Sequence, residues 1–100
     1  MIDMTAANDD MRDTLAPIEA KRKRLVFRSW HRGTKEMDLI MGSFADSHVP
    51  NFDEAQLEQY DQVLFENDPD LYNWISGREP KPADRKNPIL DLLIAHKIAT

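Results

Sequence analysis

The chain has no cysteine and only three glycines in 100 residues. Without cysteine there is no disulfide framework, no thiol nucleophile and no cysteine-ligated metal or iron–sulfur site. Three isolated glycines cannot build a phosphate-cradling loop. No apolar run approaches the ~18 residues that a membrane-crossing helix needs. Lysine and arginine are missing altogether from Glu36 to Gly77. With 41% hydrophobic and 31% charged residues, the composition suits a small globular domain and is too apolar for wholesale disorder.

The first residues also lack what a targeting signal requires. Met1 to Ala16 carry Asp3, Asp9, Asp10 and Asp13 against the single base Arg12. A secretory signal has a basic start and an apolar stretch, and a mitochondrial presequence is rich in arginine and poor in acid. Residues 1–16 therefore read as a disordered acidic tail on a cytoplasmic protein, with residues 17–100 forming one domain.

The six prolines and three glycines fall where helices would start or stop. Pro17 opens a first helix that closes at Arg32 before Gly33, a left-handed cap. On it Ile18, Leu25, Val26 and Trp30 share one face. Thr34 to His48 places Met37, Ile40, Met41, Phe44 and Ala45 at the i, i+3, i+4, i+7, i+8 spacing of an amphipathic helix. Gly42 interrupts that helix at a cost of about 1 kcal/mol relative to alanine, which points to close packing. Val49-Pro50 ends it.

A third helix is capped by Asn51 or Asp53, with Asn51 and Glu54 resembling a capping box. It runs to about Asn67 with Leu57, Tyr60, Val63 and Leu64 inward. Asp68-Pro69 gives a cap plus proline start for a fourth helix, which Gly77 stops after Leu71, Tyr72, Trp74 and Ile75. Arg78 to Lys86 read as an extended connector. Asn87-Pro88 starts a last helix holding Ile89, Leu90, Leu92, Leu93, Ile94 and Ile98. No stretch alternates with a period of two. The expected fold is all-α, a compact single-domain bundle of about five helices. A core this small leans on its inward aromatics, Phe44, Tyr60, Tyr72 and Trp74.

Charge is distributed unevenly. Lys21, Arg22, Lys23, Arg24, Arg28, Arg32 and Lys35 sit close together, while ten acids gather between Glu36 and Gly77. A basic helix with a nearby tryptophan has the outline of a nucleic-acid binder. A net charge of −5 and a large acidic face oppose that role. Mutual neutralisation across the bundle, or a protein partner of complementary potential, uses the asymmetry better.

Catalytic constellations are missing. His31, His48 and His96 are scattered, with no zinc-type spacing. Asp53-Glu54 and Asp68/Asp70 lie where helix N-termini favour negative charge. The serines carry no nucleophile-elbow signature. The chain reads as a binding protein rather than an enzyme.

One local feature remains, Arg32-Gly33-Thr34-Lys35-Glu36-Met37-Asp38 at the first interhelical turn. Helix ends account for much of it: Arg32 faces the negative end of helix one, Thr34 caps helix two, and Glu36 and Asp38 suit that helix's positive end. The same turn also puts Arg32, Lys35 and Glu36 on an exposed corner, suited to presenting a charged fork. This stretch resembles the Arg-Gly-x-x-Glu motif of the SdhE family, also called the succinate dehydrogenase assembly factor 2 family. The likeness extends to Arg22-Lys23-Arg24-Leu25, Trp30-His31, Leu39-Ile40-Met41 and Asn67-Asp68-Pro69-Asp70-Leu71-Tyr72-Asn73-Trp74-Ile75, and covers roughly Pro17 to Ile98. Met37 departs from the leucine common in the family, a swap conservative in size.

The resemblance implies a flavoprotein assembly factor. Members bind the flavoprotein subunit of succinate dehydrogenase, and in bacteria also of fumarate reductase, and promote covalent attachment of FAD to a client histidine. FAD then belongs to the client, and no cofactor, metal, nucleic acid or membrane insertion is implied for the factor. Carried over by position, Arg32, Gly33 and Glu36 form the client-contacting corner, with Asp38 beside it. The alternative is a small helical regulator or antitoxin-like protein whose basic first helix meets nucleic acid or a toxin. A flavin transferase is a third reading, against which the missing cofactor-binding loop counts.

Overall fold

The computed structural model describes residues 16–96, and these form five α-helices and one short 3-10 turn, without a strand among the described residues. The all-α expectation is met. The helices are α1 (Pro17–Ser29), α2 (Lys35–His48), α3 (Glu54–Val63), α4 (Asp68–Ser76) and α5 (Pro88–Ala95), with the 3-10 turn Val49–Asn51 after α2. The expected tail lies outside the described residues apart from Ala16, the N-cap of α1, and so does Ile98.

Four helices begin on side-chain caps that offer backbone N–H groups an acceptor. Thr34 accepts from Met37 N, Asp53 from Gln56 N, Asn67 from Asp70 N, and Asn87 from Ile89 N and Leu90 N. Two of these differ from the sequence expectation. The capping box of α3 is Asp53 with Gln56, not Asn51 with Glu54, because Asn51 is taken up in the 3-10 turn. The cap of α4 is Asn67, so Asp68 is the first helical residue and its carboxylate is free for another partner.

The core is built from Leu25, Met41, Phe44, Leu57, Tyr60, Leu71 and Leu93, all fully enclosed. Phe44 and Phe52 both pack against the Tyr60 ring, at centroid distances of 5.4 and 6.2 Å. Phe52 is a core residue that the helical spacing did not reveal, since it lies in the link between α2 and α3. Trp74 is buried as expected, whereas Tyr72 is only half-buried. Ser29 is the polar exception among the buried described residues. Its hydroxyl donates to Leu25 O at 2.7 Å and lies 2.6 Å from the Tyr60 hydroxyl. With its single proton committed to Leu25, Ser29 must accept from Tyr60.

Helix α1 stops three residues short of the expected Arg32. Trp30 N–H is shared between Val26 O and Phe27 O, and the His31 ring Nδ1 lies 2.7 Å from Phe27 O. The last carbonyls are thereby satisfied without further helix. Trp30 then lays its indole across α2 at Gly42, the close packing that the glycine foreshadowed: a Cβ there would stand 2.1 Å from the indole Cδ2. Helix α3 likewise ends at Val63 instead of continuing to Asn67, for a reason that belongs to the corner described next.

Candidate functional site

The turn from α1 to α2 is a fixed corner. Gly33 has a φ of +118°, a backbone region open to glycine and strained for other residues. Asp38, in the first turns of α2, reaches back so that one carboxylate oxygen accepts from Arg32 N at 2.5 Å and Gly33 N at 3.1 Å. The residues flanking Gly33 are thus tied to the helix that follows them.

Arg32 is where the structure departs most from the sequence. Its side chain is not a fork presented to a partner; only 11% of it is exposed. The guanidinium folds inward over the link between α3 and α4. Nη1 donates to Leu64 O at 2.7 Å and Nη2 to Glu66 O at 2.8 Å. Nε donates to Asp68 Oδ1 at 2.8 Å, and Nη2 approaches the same oxygen at 2.7 Å. Leu64 and Glu66 carry carbonyls that the end of α3 leaves unpaired, so Arg32 stops α3 from outside its own sequence. The same cation meets the carboxylate that α4 frees by starting on Asn67. One side chain therefore fastens three elements, and its planar donor set suits that geometry as lysine would not.

What the corner shows to solvent is Gly33, Thr34, Lys35 and Glu36, all exposed. The carboxylate of Glu36 takes part in no hydrogen bond or ion pair among the described residues and stands free on the first turn of α2. Of the four sequence-predicted site residues, the structure groups all four within one turn but divides their work. Arg32 and Asp38 hold the corner, and Gly33 and Glu36 face outward. Against the same turn lies a surface hollow of about 610 Å³, whose lining includes Trp30, His31, Gly33, Thr34, Lys35 and Leu39. Trp30, His31 and Leu39 have no motif signal as site residues; Leu39 shows itself through exposure, half of its surface being open while the other large hydrophobic side chains of α2 are buried.

The cations of α1 are largely neutralised inside the molecule. Lys21 pairs with Glu58 at 2.8 Å and Arg28 with Asp61 at 2.7 Å, both on α3. The Glu58 hydrogen bond raises the Lys21 pKa. No group of three or more metal-ligating side chains is assembled among the described residues, and no helix among them is long and apolar enough to cross a membrane.

Comparison with known proteins places this bundle. A family model described as "Flavinator of succinate dehydrogenase" matches residues 23–97. "Succinate dehydrogenase assembly factor 2-A, mitochondrial" of Drosophila yakuba is 38% identical over 82 residues, which is 80% of this chain and 51% of that protein. "Succinate dehydrogenase assembly factor 2, mitochondrial" of Dictyostelium discoideum is 37% identical over 82 residues, 82% of this chain and 58% of that one. "FAD assembly factor SdhE" of Acetobacter pasteurianus is 33% identical over 90 residues, 90% of this chain and 80% of that one. The chain spans about half the length of the mitochondrial relatives it matches. The family match runs from the middle of α1 past the end of α5 and takes in the whole corner; the chain belongs to the family described as the flavinator of succinate dehydrogenase.

Proposed function

We propose that the chain is a maturation factor that binds the flavoprotein subunit of succinate dehydrogenase and promotes covalent attachment of FAD to it, without itself catalysing the bond. The observation that carries this is the Gly33–Glu36 corner: an exposed carboxylate, unpaired among the described residues, on a turn clamped by Arg32 and Asp38, within a chain of this family. A clamped corner offers its partner a surface whose ordering entropy is already spent, which favours a factor that works by positioning. FAD belongs to the client on this reading, and the fumarate reductase flavoprotein is a second client. The bacterial relative, covered over most of its length, supports a bacterial cytoplasmic setting.

The rival regulator reading draws on the basic first helix. Pairing of Lys21 and Arg28 with acids of α3 leaves that helix less charge for a phosphate backbone. The test is covalent flavin fluorescence of the denatured flavoprotein subunit, in host cells with and without this gene. Loss of fluorescence on deletion, restored by wild type but not by Glu36→Ala, is the expected result. Fluorescence unaffected by deletion overturns it.

A further inference from the structure

Phe27, on the outer face of α1, is 63% exposed. Its ring stacks on the His31 imidazole with centroids 4.0 Å apart and planes 20° from parallel. Together with Val26, Trp30 and Pro50 these rings wall a groove of about 540 Å³ between α1 and the 3-10 turn. Trp30 and His31 line this groove and also the hollow against the α1–α2 turn, so the two share a wall. The floor is firm, because the Trp30 indole is seated on the bare backbone of Gly42.

The rim carries Glu19 and Arg22, which are paired with one another, and two further cations. Lys23 borders the groove and Arg24 sits beside Phe27. Neither forms an ion pair among the described residues, while Lys21, Arg22 and Arg28 are matched to Glu58, Glu19 and Asp61. Single exposed apolar residues are ordinary on a protein surface. A connected aromatic groove with unspent cations at its edge has the make-up of an interface, an apolar centre within a polar rim.

Resting on the function proposed above, we infer that this groove is a second contact for the flavoprotein client, and that it takes an acidic segment of that protein carrying a large apolar side chain. The apolar side chain enters between Phe27, Trp30 and Pro50, and neighbouring carboxylates face Lys23 and Arg24. The occupant follows from charge complementarity and from continuity with the corner. Engaging both contacts on one rigid ledge raises the effective concentration of each for the other, so loss of either weakens the whole.

The test measures binding of the full chain to purified, unflavinylated succinate dehydrogenase flavoprotein by calorimetry at low and at moderate salt. Phe27→Asp is expected to weaken binding at least tenfold with an unchanged melting temperature. The double variant Lys23→Glu/Arg24→Glu carries the test independently of how Phe27→Asp folds. It is expected to weaken binding at low salt and to flatten the salt dependence, as loss of charge complementarity at a rim does. If Glu36→Ala weakens binding while both groove variants bind like wild type, the groove assignment fails and the proposed function stands. If wild type does not bind the flavoprotein, both fall. If light scattering shows wild type as a dimer that Phe27→Asp dissociates, the occupant is a second copy of this chain and the inference is overturned.

Discussion

The Trp30 indole occupies the space that a side chain at Gly42 would fill: a Cβ added there would lie 2.1 Å from Cδ2 and 2.3 Å from Cε2. Glycine in a helix interior normally costs about 1 kcal/mol against alanine. Here that penalty is outweighed, because the ring is also held by Asp46, which accepts from its Nε1 at 3.3 Å. Gly42→Ala is therefore expected to destabilise the protein by about 2 kcal/mol despite its better helix propensity, as overpacking does. Urea unfolding measures the loss, and tryptophan emission reports displacement of the ring. A stabilised Gly42→Ala would mean that the indole moves aside freely.

Arg32 and Asp68 give the second expectation. Truncating Arg32 leaves a partly buried carboxylate and two carbonyls without their donor, so Arg32→Ala should cost about 3 kcal/mol. Arg32→Lys should recover little of it, since one ammonium cannot serve Leu64 O, Glu66 O and Asp68 together. Flavinylation by Arg32→Ala should fall in step with folded fraction, whereas Glu36→Ala should lower flavinylation with stability unchanged. Equal melting temperatures for Arg32→Ala and wild type would return Arg32 to the surface role that its place in the motif suggested.

The sequence disclosed starts better than stops. Thr34, Asn87 and the prolines after Asn67 and Asn87 carry their structural meaning in their own chemistry, and the inward faces of α2 and α3 follow from spacing alone. Asn67 and Asp68 are both competent caps, and nothing local chooses between them. The choice is made by Arg32, thirty-six positions earlier, which needs Asp68. The end of α3 was hidden for the same reason. No glycine or proline lies between Glu54 and Asn67, and the stop is imposed by a guanidinium from another turn. The corner itself was legible as a motif, but which of its charges face inward depends on packing that no seven-residue window contains.

The buried pair Ser29 and Tyr60 yields a third expectation. Ser29→Ala removes the acceptor of the Tyr60 hydroxyl and should cost about 1–3 kcal/mol, the penalty for a buried donor left unmade. Tyr60→Phe in the Ser29→Ala background should recover part of this by removing the orphan. A double-mutant cycle on urea unfolding measures the coupling. Burial pushes the Tyr60 phenol up to about 12, against the pull of the Arg32 and Arg28 charges. The neutral phenol is thus the folded-state form, and its contribution is whole below the ordinary value near 10 and lost as pH rises from there toward 12. Absorbance at alkaline pH should show one tyrosine titrating late and together with unfolding.

His96 sets the acid side. Its ring is T-shaped against Phe44 at 5.5 Å and lies 5.9 Å from the His48 ring, with Nε2 at 3.2 Å from Ser43 Oγ. Burial first, and the neighbouring His48 second, lower its pKa from the usual 6.5. A lowered histidine pKa means that the unfolded chain binds the proton more readily than the folded one, so stability falls as the pH drops. The contribution is complete above about 6.5 and is lost progressively below it. The melting temperature should accordingly decline between pH 7.5 and 5.5. His96→Gln keeps a polar group toward Ser43 but cannot titrate, and should show a shallower decline. The difference between the two profiles isolates this ring from carboxylates that titrate lower in both proteins. Parallel profiles would show that the folded chain accepts the proton on His96 as easily as the unfolded one, and that α2 and the end of α5 are not held together by a neutral imidazole.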